Sequence, residues 1–180
     1  MVRIRSVAHL ALAAALLAGC AGDDDVVQWR DATIEVPEGW HVFEEEDTRL
    51  SMANVPQGED ADPDAQQDLD VVAMHFTHSP GENPGDLRAF VEDQEGTIES
   101  DVALDLDGVP ATRIIYSRDS VGVDTREMSV VVPAREVSVL ALPVPSPGDE
   151  EAQELFMEHL DTFNAVIESI EWSAPVGLRD

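Results

Sequence analysis

Lysine is absent from this sequence of 180 residues. Its ten basic residues are all arginine, and they stand against 38 aspartates and glutamates. Such a surface repels the phosphates of nucleic acids and anionic lipid head groups, so both are poor partners. Cysteine occurs once, as Cys20, which excludes an intramolecular disulfide and leaves the fold to its apolar core. No apolar run reaches the roughly 20 residues that a membrane-spanning helix needs. Missing too are a Gly-x-Ser-x-Gly elbow, a glycine-rich phosphate loop and a His-Glu-x-x-His pair, so the common signatures of hydrolases, nucleotide enzymes and zinc proteases are not there. Carboxylate pairs are abundant, but in a chain this acidic no single pair points to acid–base catalysis. The expectation is a non-enzyme that uses no cofactor.

The amino-terminal stretch is informative. Arg3 and Arg5 form a basic start, Val7 to Leu17 is apolar apart from His9, and Leu17-Ala18-Gly19-Cys20 closes the run. A basic segment, a short apolar core and small residues at the end make a secretory signal. The ending resembles the lipobox of bacterial lipoproteins. That resemblance implies cleavage before Cys20, diacylglyceration of its thiol and acylation of the new amino group. Two or more acyl chains hold a protein durably on a membrane, at about 0.8 kcal/mol per buried methylene. The expected organisation is a signal peptide at 1–19, an acidic tether at 20–28 carrying Asp23-Asp24-Asp25, a domain at 29–173 and a tail at 174–180. Cys20 is the expected lipidation site, and the cell membrane's extracytoplasmic face the expected location. Without the leader, 8 arginines face 38 acids, a formal net charge of −30. Adaptation to a salty medium accounts for this halophilic-type surface more economically than one acidic binding patch, which would not require the loss of every lysine.

Along the domain, Thr33 to Val36 alternates like a strand, and Pro37-Glu38-Gly39 reads as a turn. Trp40 to Phe43, Leu50 to Val55 and Leu69 to Thr77 read as further strands. The last is apolar on both faces and therefore expected inside a sheet. Asn83-Pro84 marks a helix start, with Leu87, Phe90 and Val91 as its apolar stripe and an end near Gly96. A meander follows. Val102, Leu104 and Leu106 face one way; Gly108-Val109-Pro110 turns the chain; Ala111 to Arg118, Thr125 to Val132 and Val137 to Leu142 continue it. After Pro143, Pro145 and Pro147, a helix is marked by Ala152, Leu155, Phe156, His159, Leu160, Phe163, Val166, Ile167 and Ile170. Glu171-Trp172 adds a short strand.

The acidic stretch from Glu59 to Asp70 starts like a calcium loop at Asp60, Asp62 and Asp64, with Asp68 following. The match then fails: Ala65 stands where glycine is needed and Val71 where the closing glutamate belongs. A mobile acidic loop is the simpler reading, and a cation- or small-ligand-binding site at these residues is the alternative. His75 and His78 lie three apart in a strand, on opposite faces, and cannot chelate one metal together. No metal site is expected.

Strands, a helix, a strand meander and a second helix argue for α+β with a mainly antiparallel sheet, one helix to each face. Trp29 before the first strand, Pro37-Glu38-Gly39-Trp40 in the first hairpin, Gly108-Val109-Pro110-Ala111 with Arg113-Ile114 and Tyr116 in the meander, and Phe163 through Ser169-Ile170 carry a further likeness. Together they resemble the Mog1/PsbP-like group, which includes bacterial lipoproteins of the DcrB and LpqN type. The resemblance implies an α/β/α sandwich and a role in binding proteins or assisting assemblies, as with the small GTPase Ran or photosystem II. No binding residue of the group maps onto this chain. An envelope protein is the partner it suggests.

Overall fold

The structure, a computed structural model, describes residues 25–57, 70–81, 87–120, 122–144 and 149–173. A seven-stranded antiparallel sheet organises them. In chain order its strands are β3 (His41–Glu46), β4 (Arg49–Ala53), β5 (Val72–His78), β6 (Thr97–Leu106), β7 (Val109–Ser120), β8 (Val123–Val132) and β9 (Val137–Pro143). In space they run β3-β4-β5-β9-β8-β7-β6. β1 (Val26–Trp29), β2 (Ala32–Glu35) and β10 (Glu171–Trp172) form a second, small sheet. Pairing in β1 thus reaches three residues ahead of Trp29.

One face of the large sheet carries the main core. Met74, Phe76, Met128, Val130, Val132, Val139 and Ala141 point into it and meet Leu155, Phe156, Phe163, Val166 and Ile167 of helix α2 (Asp149–Glu168). Each such side chain stabilises the fold by roughly 1.5–3 kcal/mol when buried, which adds to the good helix propensity of the alanines, leucines and glutamates of α2. His159 stays half-buried at the margin, its ring 6.2 Å from Trp40. Trp29 closes the core from the small sheet, edge-on to Phe76, and its Nε1 donates to the Glu46 carbonyl at 2.7 Å.

Helix α1 (Leu87–Asp93) packs on the other face, over β6 and β7, where Val91 meets Ile114 and Tyr116. The expected stripe is corrected here. Only Val91 is buried, Leu87 is half-buried, and Phe90 is 49% exposed. A helix of two turns resting on the end of a sheet sinks one position. It ends as a Schellman motif, in which Gly96 N donates to the Val91 carbonyl and Glu95 takes the left-handed conformation. Asn83 and Pro84 lie outside the described residues.

Two turns differ in detail from their sequence signals. At Pro37-Glu38-Gly39-Trp40 the Trp40 amide donates to the Pro37 carbonyl and Gly39 sits at φ +80°, a type II turn. In the β6–β7 hairpin the turn is Asp107-Gly108, both at positive φ, so Val109 and Pro110 already belong to the strand. β6 leaves the core progressively: Leu106 is buried, Leu104 half-buried and Val102 exposed.

Candidate functional site

The expected lipidation site, Cys20, and the expected cation ligands Asp60, Asp62, Asp64 and Asp68 lie outside the described residues. Three other places gather chemistry.

The first is at the outer strand β3. A β-bulge between Val42 and Glu44 sets two residues, Phe43 and Glu44, against Ser51 of β4. In a regular strand neighbours point to opposite faces; the extra residue puts both of these on one face. There Glu44 Oε2 accepts from Ser51 Oγ at 2.8 Å, and Ser51 Oγ lies 2.9 Å from His75 Nδ1. The Phe43 ring stands edge-on to the imidazole at 6.1 Å. Arg49 faces Glu44 Oε1 at 3.5 Å. Burial lowers the pKa of His75, with the Arg49 charge acting the same way and Glu44 opposing them. His78, on the opposite face, turns its Nε2 to Glu136 at 3.6 Å. The two histidines therefore serve different faces, as the period of the strand requires. Among the described residues no three His, Cys, Asp or Glu side chains are placed to hold a metal ion.

The second place is internal. Glu127 of β8 is 1% exposed. Tyr116 donates to its Oε2 at 2.8 Å, and Arg118 donates to Oε1 from Nε at 3.0 Å and from Nη2 at 3.0 Å. Thr125 adds a contact at 3.3 Å. A buried carboxylate persists only with such partners. Burial first, and then the Glu127 charge, pushes the Tyr116 hydroxyl up to about 12, against a hydrogen bond with Ser129. The sequence pattern places Tyr116 in the meander and gives no mark to Glu127. The register of the β7–β8 pair decides it: Ser120 pairs with Val123, which brings Tyr116 opposite Glu127.

The third is a shallow groove of about 490 Å³ between the first turn and α2, lined by Glu35, Val36, Pro37, Glu38, Asp161, Thr162, Ala165 and Val166. It offers carboxylates, one hydroxyl and aliphatic carbon.

No protein-family model matches the chain, and no curated protein does. Solved structures do. A point variant of the protein Mog1 superposes with a TM-score of 0.50 at 12% identity, over 82% of this chain and 95% of its own. Mog1p, a Ran-binding protein of Saccharomyces cerevisiae, gives 0.48 at 11% identity over 79% and 90%. The PsbP protein of Synechocystis gives 0.48 at 12% identity over 86% and 96%. At such identities the likeness is one of fold: this chain has the Mog1/PsbP-like α+β architecture, an antiparallel sheet with two helices.

Proposed function

We propose that this chain is a lipid-anchored lipoprotein of the extracytoplasmic membrane face, whose α+β domain is a non-catalytic module for docking or assembling an envelope protein. The anchor rests on Leu17-Ala18-Gly19-Cys20 at the end of the short apolar run. With a net charge this negative, acyl chains on Cys20 supply the hold on the bilayer that a basic patch would otherwise give. One observation carries the docking reading. Polar groups of the interior are largely spent on each other, as in the Glu127 cluster, where Tyr116 and Arg118 both donate to one carboxylate. The groups left for solvent at Phe43, Glu44 and His75 lie on one sheet face beside its open edge, Phe43 and Glu44 on the outer strand β3 and His75 two strands in. Catalysis is better served by a concave pocket that excludes water; an open edge suits a macromolecular partner.

Two experiments test this. Cys20→Ser should release the protein from sedimented membranes, and retention of the variant after a salt wash would end the anchor reading. Crosslinking in intact cells, followed by pull-down and mass spectrometry, should recover a discrete envelope partner. Recovery of no partner above an unrelated lipoprotein control would overturn the docking reading.

A further inference from the structure

The polar chain on β3, β4 and β5 fixes where one proton sits. Ser51 has a single hydroxyl proton and lies between Glu44 and His75. An ionised carboxylate only accepts, so that proton goes to Glu44. Ser51 Oγ must then accept from His75, which places the imidazole proton on Nδ1. In the neutral ring this leaves Nε2 with a bare lone pair. Among the described residues Nε2 has no partner, and it is not one of the buried unpaired atoms, so it reaches solvent. Phe43 beside it is 37% exposed. The bulge brings Glu44 to the same face, and bulges are a recurrent means of re-aiming side chains at binding sites.

Apart from Arg49, what this patch presents is a set of acceptors: a nitrogen lone pair, a carboxylate and an aromatic ring. We propose that Phe43, Glu44 and His75 form a docking site for a lysine or arginine side chain of a protein partner, with His75 Nε2 and the Glu44 carboxylate as acceptors and the Phe43 ring as a cation–π surface. This deepens the docking reading above and rests on it. Charge argues for that occupant, because a chain of net charge −28 attracts basic segments and repels acidic ones. Position argues for a protein: Phe43 and Glu44 lie on β3, the outer strand of the sheet, and His75 two strands in on the same face, so a segment laid across this face can meet all three side chains. The long 3.5 Å contact between Glu44 and the exposed Arg49 shows that the carboxylate already faces a guanidinium, one that an incoming cation can displace.

The test uses the full chain in a neutral detergent at about pH 7.5, where an imidazole is mostly neutral, and about 0.15 M salt. Long-range proton–nitrogen NMR of the free protein should show His75 protonated on Nδ1; protonation on Nε2 would overturn the proposal whatever the variants do. A capped lysine–serine hexapeptide should then shift the resonances of His75 and Phe43, and its glutamate–serine counterpart should not. His75→Leu and Ser51→Ala should each weaken the lysine peptide by about tenfold, while Arg49→Gln should strengthen it. Melting curves check that the variants are folded. Equal binding to wild type and to folded His75→Leu would assign the peptide to general surface charge and overturn the site. The two readings fail separately. A partner recovered from cells whose binding ignores His75→Leu sinks this site and leaves the docking module. A peptide that engages His75 while no cellular partner is recovered sinks the module and leaves the site.

Discussion

The guanidinium of Arg135 lies over the indole of Trp172, with its central carbon 4.7 Å from the ring centroid. The same guanidinium pairs with Asp31, whose carbonyl accepts from Ser173 N, and Trp172 is held in turn by Asp107 and by the Leu106 carbonyl. Arg135 thus locks the small sheet to the hairpins of the large one. Its side chain is 8% exposed, so the stacking is largely desolvated and worth about 2 kcal/mol. Arg135→Ala, which also strips Asp31 of its partner, should cost roughly 3 kcal/mol in urea unfolding. Arg135→Lys keeps the charge but loses the flat stacking surface and should cost about half as much. A double-mutant cycle with Trp172→Ala should return about 1 kcal/mol of coupling, and a value near zero would show that the stacking is incidental.

Glu127 gives a second prediction. Glu127→Ala leaves Arg118 without this acceptor, Tyr116 with only its longer 3.5 Å contact to Ser129, and a cavity where the carboxylate stood. A loss of about 3–5 kcal/mol is expected. Glu127→Gln keeps the volume and can still accept from Tyr116, so it should lose about half of that. Equal losses would show that charge, not volume, matters at this position.

How far the sequence led can be argued from single residues. Met128, Val130 and Val132 alternate on a strand interior to the sheet, and all three are fully buried; a period of two sustained over five residues is hard to misread. Phe90 shows the opposite. Leu87, Phe90 and Val91 have helical spacing, yet the spacing could not reveal that only the end of the sheet lies beneath α1. Glu44, Ser51 and His75 come together from three strands, and their meeting depends on a bulge that no local pattern announces. The fold was legible because burial repeats along each element. The site was not, because it depends on one irregularity of register.

The end of α1 offers a paired test. Glu95 holds φ +57°, which costs a residue with a β-carbon about 1 kcal/mol, whereas Gly96 follows in ordinary conformation. Glu95→Gly should therefore stabilise the domain by about 0.5–1 kcal/mol. Gly96→Ala should destabilise it, because the added carbon would meet Val91 Cγ1 at 2.9 Å and the Ser117 carbonyl oxygen at 3.1 Å, and the buried Val91 has no room to yield. Thermal melts of the two variants should move in opposite directions.

His75 makes stability depend on mild acid. Its pKa in the folded chain is lowered from the ordinary value of 6.5, chiefly by burial. The unfolded chain therefore binds the proton more readily. The contribution of neutral His75 is complete above that value and is lost as pH falls through the window beneath it. His75→Gln has no such window, so the difference in urea midpoint between wild type and variant should shrink from pH of about 7.5 to about 5. Glu44→Gln removes the charge that favours protonation and should carry the loss to lower pH. A wild-type and His75→Gln difference that is constant across the range would contradict this account.

Tyr116 supplies the alkaline counterpart, and the composition makes it unusually direct to read. It is the single tyrosine of the chain, so absorbance near 295 nm reports its ionisation alone. In the folded protein the hydroxyl is pushed up to about 12 by burial and by the Glu127 charge, against 10.0 for a free tyrosine. The folded state holds this proton longer than the unfolded state, so its stability falls as pH rises from about 10 toward 12. A fast pH jump should find the native phenol protonated well above the pH at which the urea-unfolded chain has ionised. Glu127→Gln should draw the native midpoint downward by removing the neighbouring charge, provided the variant remains folded by circular dichroism. Burial is the larger cause, so part of the elevation should survive that substitution. If the native and unfolded chains titrate together, Tyr116 is not sealed between α1 and the sheet as its position here requires.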